Sequence, residues 1–145
     1  MLAGERLKQQ HRDIDVEVEA AARGQGDATR LAAALRILRR HLYLEEHLLF
    51  PPLANSGLAM PVFVMKRDHG QMWPLLEKLM AACMVGVAAG ALEGDGRDLL
   101  QILQMHNPKE EAVIYPAADQ LADASLQDAL EKAEPPEGWR CEMAR

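Results

Sequence analysis

Residues 41–51 read His-Leu-Tyr-Leu-Glu-Glu-His-Leu-Leu-Phe-Pro, and residues 106–116 read His-Asn-Pro-Lys-Glu-Glu-Ala-Val-Ile-Tyr-Pro. Both follow one pattern at a constant offset of 65: His-x-x-x-Glu-Glu, three further residues, an aromatic and a proline. At about 100° per residue, a His and a Glu four positions apart share one helical face, about 40° from each other. Two such pairs on two helices can aim two imidazoles and two carboxylates at one point. That is a donor set for a hard-to-borderline divalent metal, and iron suits it.

Outward from the two motifs, apolar residues recur at helical spacing and no convincing strand run is present. A first helix is expected from about Ala3 to Arg23, ending at Gly24-Gln25-Gly26. Asp27 is the expected N-cap of a second, from about Ala28 to Phe50, which Pro51-Pro52 should stop. After a loop containing Asn55-Ser56-Gly57, a third runs from about Met60 to Ala89 with Pro74 inside it. A Gly-rich break, Gly90 to Gly96, precedes a fourth from about Arg97 to Ile114, which carries Pro108. Ser125 should cap a short fifth helix from about Leu126 to Ala133. The expected fold class is therefore all-α. Four long helices with short connections imply an up-down-up-down bundle, joined by a short fifth helix and a C-terminal tail. On this reading residues 1–122 form the bundle, and residues 123–145 are a short helix and irregular tail that packs on it or extends from it. The motifs then sit on the second and fourth helices, each the second member of a hairpin.

A length of 145 residues suits one domain with a real core and no need of disulfides. The net charge of −6 and the lack of a basic stripe make nucleic acid and anionic membrane unexpected partners. The charged start, Met-Leu-Ala-Gly-Glu-Arg-Leu-Lys, does not resemble a secretion signal. The apolar stretch Leu79 to Leu92 falls short of the about 20 residues a membrane span takes. Cys83 and Cys141, the only cysteines, suggest no disulfide framework, so a cytoplasmic location is expected.

Helical phase picks out which polar residues face inward. With His41 at zero, Glu45 falls near about 40°, Ala34 near 20°, Leu48 near 340° and Ile37 near 320°, whereas Glu46 and His47 fall off that face. On the fourth helix His106 and Glu110 share a face with Leu99, Ile102, Leu103 and Val113, and Glu111 does not. His11 lies with Leu7, Ile14, Val18 and Ala22, and His69 with Val62, Met65, Leu76, Met80 and Cys83. A single inward His is commonly a hydrogen-bonded core residue. Four of them, one per helix, with two carboxylates at matched spacing, are better explained by a metal, because an unpartnered buried carboxylate costs several kcal/mol in effect. Six donors around one ion would be closed. Two bridging carboxylates can instead serve two ions, each with two imidazoles and open positions. Without metal, the facing carboxylates should raise each other's pKa. Other metal and cofactor signatures are missing: no Glu-x-x-His, no His-Glu-x-x-His, no Cys-rich zinc spacing and no phosphate loop.

Over about residues 5–120, the order His11, His41-x3-Glu45-Glu46, His69, His106-x3-Glu110-Glu111 resembles the hemerythrin-like, or HHE cation-binding, domain family. The resemblance implies a four-helix bundle around a non-heme di-iron centre, with manganese or zinc as substitutes. It implies His11 with His106 on one iron, His41 with His69 on the other, and Glu45 and Glu110 as bridges. Oxygen-carrying members have a second imidazole one turn from the third-helix ligand; here Met65 and Trp73 occupy those positions. The resemblance therefore implies a four-His, two-Glu site of the branch linked to nitric-oxide stress rather than simple oxygen transport.

Asp15, four residues after His11, is a candidate to orient that imidazole or to add a ligand, a solvated carboxylate at the end of the face being the alternative. Trp73 and Tyr115 are further candidates beside the ligands, although on α-helical angles Tyr115 and Tyr43 point away from the site. Trp139 and Cys141 are candidates to dock the tail. The expected function is binding or sensing of O2, NO or redox state by two irons. The alternative is a di-iron enzyme that reduces NO or peroxide, or delivers iron to damaged centres, under nitrosative or oxidative stress. With no motif for a bound electron donor, turnover would draw on an external reductant.

Overall fold

A computed structural model of the chain describes residues 2–121 and 124–144. Among them the structure is all-helical. The elements are α1 (Ala3–Ala22), α2 (Ala28–Leu44), α3 (Phe50–Leu53), α4 (Ala59–Met84), α5 (Glu93–Lys109), α6 (Tyr115–Leu121) and α7 (Ala124–Lys132). The boundary expected at residue 122 lies outside the described residues. So do the residues ahead of α7, in which Ser125 lies in the first turn.

Local chemistry accounts for the helix ends. The Asp27 carboxylate accepts the Arg30 N–H at 2.9 Å and caps α2. Gly24, at φ 73°, lets α1 close with bonds from its own N–H to the Ala21 carbonyl and from the Gln25 N–H to the Ala20 carbonyl. Pro51-Pro52 does not stop the second run as expected. Both prolines lie in the first turn of α3, where a missing N–H does no harm. The reversal comes at Ser56 and Gly57, the latter at φ 93°. α4 ends earlier than expected, at Met84, and α5 begins earlier, at Glu93. Pro74 and Pro108 lie inside α4 and α5 without ending them. Residues 48–65 form a longer uncharged run than Leu79–Leu92, and a window within Ala28–Met84 reaches a mean hydropathy of 1.5. The turn at Gly57 folds that run back on itself.

Two departures from α-geometry decide what faces the interior. Glu45–Leu49 and Glu110–Ile114 each form a single π-helical turn, in which the N–H of Phe50 bonds the Glu45 carbonyl and that of Tyr115 bonds the Glu110 carbonyl. Each turn is followed by a proline, Pro51 or Pro116, which has no N–H and whose ring crowds the carbonyl four residues back. The extra residue shifts the inward register by one. Leu49 and Ile114 are buried where the regular α-helix puts Leu48 and Val113, and Val113 is exposed. Ile37 is also exposed rather than core.

α1 packs against α2 and α5, and α4 packs against the same two helices. The interior has two apolar clusters. One contains Ile14, Leu35, Leu38, Trp73, Leu76 and Leu103; the other contains Leu7, Leu49, Phe50, Val62, Met65 and Ile114. Along every long helix the inward His falls between a residue of one cluster and a residue of the other.

The tail lies on the bundle. Trp139 meets Trp73 and Tyr43 edge-on, with ring centroids 5.4 and 5.2 Å apart, and the Arg39 guanidinium sits over it. Arg39 donates to the carbonyls of Pro136 and Trp139, and Arg40 to those of Leu130, Glu131 and Ala133. Cys141 is fully buried, and Met143 presses on Gly70, next to His69, so closely that a Cβ there would be 2.7 Å from the Met143 Cβ. Trp139→Ala should therefore destabilise the whole chain by about 2 kcal/mol, below the full core value because the ring is half-buried. Chemical denaturation measures this, and an unchanged midpoint would mean the tail adds nothing to the fold.

Candidate metal centre

His11 on α1, His41 at the end of α2, His69 in the middle of α4 and His106 near the end of α5 are all buried. Glu45 and Glu110, each the first residue of a π turn, are 0% exposed. The six donors form a polar layer between the two apolar clusters. They make two groups of four that share both carboxylates: His11, His41, Glu45 and Glu110, and His69, His106, Glu45 and Glu110, with donor atoms within 4.8 Å of one another in each. Each carboxylate divides its oxygens between the groups. Glu45 Oε2 lies 3.3 Å from His41 Nε2, and Oε1 lies 3.2 Å from His69 Nε2. Glu110 Oε1 lies 3.1 Å from His11 Nε2, and Oε2 lies 3.2 Å from His106 Nε2. Each carboxylate thus faces both groups of imidazoles.

The pairing of imidazoles differs from the one the resemblance implied. His11 goes with His41 and His69 with His106, their ring centroids 4.8 and 5.1 Å apart. The reason lies in the opposite ring nitrogens. His41 Nδ1 bonds Gln10 Oε1 at 2.7 Å, and His106 Nδ1 bonds Asp68 Oδ2 at 2.9 Å. Gln10 and Asp68 directly precede His11 and His69, so each hairpin locks its own two rings side by side. The remaining Nδ1 bonds cross between hairpins: His11 to Glu111 and His69 to Glu46, both 2.8 Å. All four imidazoles thus give Nδ1 to an outer acceptor and turn Nε2 inward, which fixes the tautomer a metal requires.

Four of the inward atoms make no well-formed hydrogen bond and face only one another: His69 Nε2, His106 Nε2, Glu45 Oε1 and Glu110 Oε2. Buried polar atoms are rarely left so, and these four belong to one group. In the other group the corresponding atoms surround the Tyr115 hydroxyl. Its oxygen lies 2.8 Å from Glu45 Oε2, 2.9 Å from His11 Nε2, and 3.0 Å from both His41 Nε2 and Glu110 Oε1. On a regular α-helix Tyr115 would stand about 180° from His106. The π turn brings it inward. Its counterpart Phe50 stacks on His69 instead, at 5.5 Å and 28° between planes.

The electrostatics reverse one expectation. Glu110 is not raised by its neighbour carboxylate. Burial pushes it up, but His106, His11 and the other facing groups outweigh that and hold it well below the usual carboxylate range. Burial lowers His41, yet Glu45 and Glu110 carry it to about 9. His69 and His106 also rise, against burial, through the carboxylates around them. Asp68, raised by burial, falls to about 2 because His106 and Lys109 donate to it. Without metal, then, protons on His41, His69 and His106 balance the buried carboxylates.

Of the remaining candidates, Asp15 does not orient His11. Glu111 does that, and Asp15 accepts a long bond from Asn107 at 3.5 Å. Trp73 lies in an apolar cluster with its Nε1 unpartnered, and no hydrogen bond joins it to the donors. Single-helix phase does not pick out the outer acceptors Gln10, Glu46, Asp68 and Glu111, because each serves an imidazole on another helix; the second Glu of each repeat is the visible signal for two of them. The tail reaches this layer as well, since the Glu142 N–H donates to Glu46 Oε1 at 2.9 Å. The two buried clusters fit a binuclear metal site.

The family model for the hemerythrin HHE cation binding domain matches residues 3–118. Neither a curated protein nor a solved structure matches the chain.

Two outcomes are expected. Glu45→Ala or Glu110→Ala should abolish retention of two ions per chain. Glu46→Ala or Glu111→Ala should keep the stoichiometry and weaken affinity by roughly 10–100-fold. Metal titration separates them, and equal losses would contradict the division into bridging and outer carboxylates. The second concerns pH. His41 is raised from 6.5 to about 9, so its contribution to the metal-stripped fold is complete below pH 6.5 and lost as pH rises through 9. Thermal melts of stripped protein should show falling stability across that window, and metal loading should release protons. A flat profile would show that the imidazoles hold no extra proton.

Proposed function

The chain belongs to the hemerythrin HHE cation-binding family, and we propose on that footing that it holds two iron ions and binds or senses O2, NO or redox state through them. The single observation that carries the dinuclear reading is the pair of buried four-donor groups, His11 with His41 and His69 with His106, that share the carboxylates of Glu45 and Glu110. Nitrogen and oxygen donors without thiolate suit iron, with manganese or zinc able to substitute. The packing of the helices supports an up-down-up-down bundle, with α7 as its short fifth member. His11, His41, His69 and His106 would hold the pair, and Glu45 and Glu110 would bridge it. Iron supplies one-electron chemistry and open positions for a small ligand.

The surroundings favour a diatomic over a larger substrate. Two small clefts reach outer acceptors rather than the inward donors: one of about 210 Å³ lined by Asp68 and Lys109, and one of about 130 Å³ lined by Glu46 and Glu142. The donors themselves lie behind apolar side chains. Met65 and Trp73 stand one turn either side of His69, so no fifth imidazole protects an oxygen adduct. The enzymatic reading uses the same site, with turnover of NO or peroxide fed by an external reductant, in a cytoplasmic setting.

Stopped-flow mixing of the reduced, iron-loaded protein tests the proposal. An optical change with NO is expected, together with one-way oxidation by O2. A reduced protein inert to both diatomics would contradict the proposal. An oxygenated form surviving many deoxygenation cycles would replace sensing with oxygen carriage. Sustained consumption of NO or peroxide with added reductant would favour the enzyme.

A further inference from the structure

We propose that Tyr115 is a ligand to one of the two metal positions, the one held by His11 and His41, and that the two halves of the centre are chemically unequal. This rests on the dinuclear reading above.

The spacing is that of a ligand. Donors at right angles around an ion about 2.1 Å away lie roughly 3 Å from each other. The phenolic oxygen keeps 2.8 to 3.0 Å from all four donor atoms of this half. Among those atoms His11 with Glu110 and His41 with Glu45 are 3.1 and 3.3 Å apart, and His41 with Glu110 is wider, at 3.9 Å.

A purely hydrogen-bonded role for the phenol lasts only while the facing imidazoles hold protons on Nε2. The phenol has one O–H to donate and faces two carboxylate oxygens. It can accept from His11 and His41 only if both carry a proton on Nε2. Their Nδ1 protons are already given to Glu111 and Gln10. With both rings in the neutral tautomer a metal needs, five electron-rich atoms surround a single proton. A cation at their centre resolves this. On binding, the phenol O–H bond breaks, its proton leaves to solvent, and the oxygen's electron pair forms the bond to the metal, with no change of oxidation state.

The other half lacks this group. The residue 65 positions earlier is Phe50, whose ring has no donor atom and stacks on His69. There the four inward atoms face only one another. Tyr115 therefore fills a position on one metal, and Phe50 leaves the matching position open on the other. A small exogenous ligand binds at the His69–His106 position. The outer groups are unequal as well: neutral Gln10 stands behind His41, whereas Asp68, paired with Lys109, stands behind His106.

The test uses full-length protein loaded with iron and oxidised to the ferric state. The chain has two tyrosines, Tyr43 and Tyr115. A visible tyrosinate-to-ferric charge-transfer band is expected, with tyrosine ring modes enhanced in resonance Raman. Tyr43→Phe should keep both. Tyr115→Phe should lose both while retaining two irons. If Tyr115→Phe fails to fold, the Tyr43→Phe protein still decides, because any tyrosinate signal from it comes from Tyr115. Two irons with no tyrosinate signal would overturn this proposal and leave the dinuclear reading standing. One iron with the signal would do the reverse.

Discussion

Two carboxylates with no exposure to water, Glu45 and Glu110, face four imidazoles across the middle of the helices. Everything else in the structure answers to that layer. An unpartnered buried charge costs several kcal/mol, and removing one partner of a buried pair is more damaging than never having built it. The chain surrounds the layer with neutralising and orienting groups. Each imidazole is held by an outer acceptor on Nδ1, and each carboxylate splits its oxygens between two groups of donors. Apolar clusters on both sides keep water away and strengthen every charge interaction between them. The lowered Glu110 and raised His41, His69 and His106 are the same fact seen as proton affinity.

The correspondence between the two hairpins extends beyond the repeat at offset 65, to the His11 and His69 pairs, which stand 58 residues apart. Gln10-His11 and Asp68-His69 occupy equivalent places, as do Glu111 and Glu46, and Tyr115 and Phe50. The two hairpins therefore contribute matching parts to one centre. Where the correspondence is broken, Gln10 against Asp68 and Tyr115 against Phe50, the two halves differ in charge and in available ligands.

Much of this was legible from residue spacing. Helical phase alone placed His11, His41, Glu45, His69, His106 and Glu110 inward, and all six meet in the interior. The N-cap at Asp27 and the ends at Gly24 and Gly57 follow from local backbone chemistry. What escaped has a common cause. A phase argument assumes a constant rise and turn, and the two π turns insert a residue where it mattered most, so Leu49, Ile114 and Tyr115 replace Leu48 and Val113. The imidazole pairing escaped because it depends on bonds between helices, His41 to Gln10 and His106 to Asp68, which no single-helix pattern encodes. The outer role of Glu46 and Glu111 escaped for the same reason, since each serves an imidazole on another helix. The docking of the tail rests on Trp139 and Arg39, far apart in sequence.

The most direct measurement is anomalous scattering at the iron edge from crystals of iron-loaded protein. The account predicts two peaks per chain, both flanked by Glu45 and Glu110, one beside His11 and His41 and the other beside His69 and His106. A single peak, or two peaks that divide the imidazoles as His11 with His106 and His41 with His69, would contradict it.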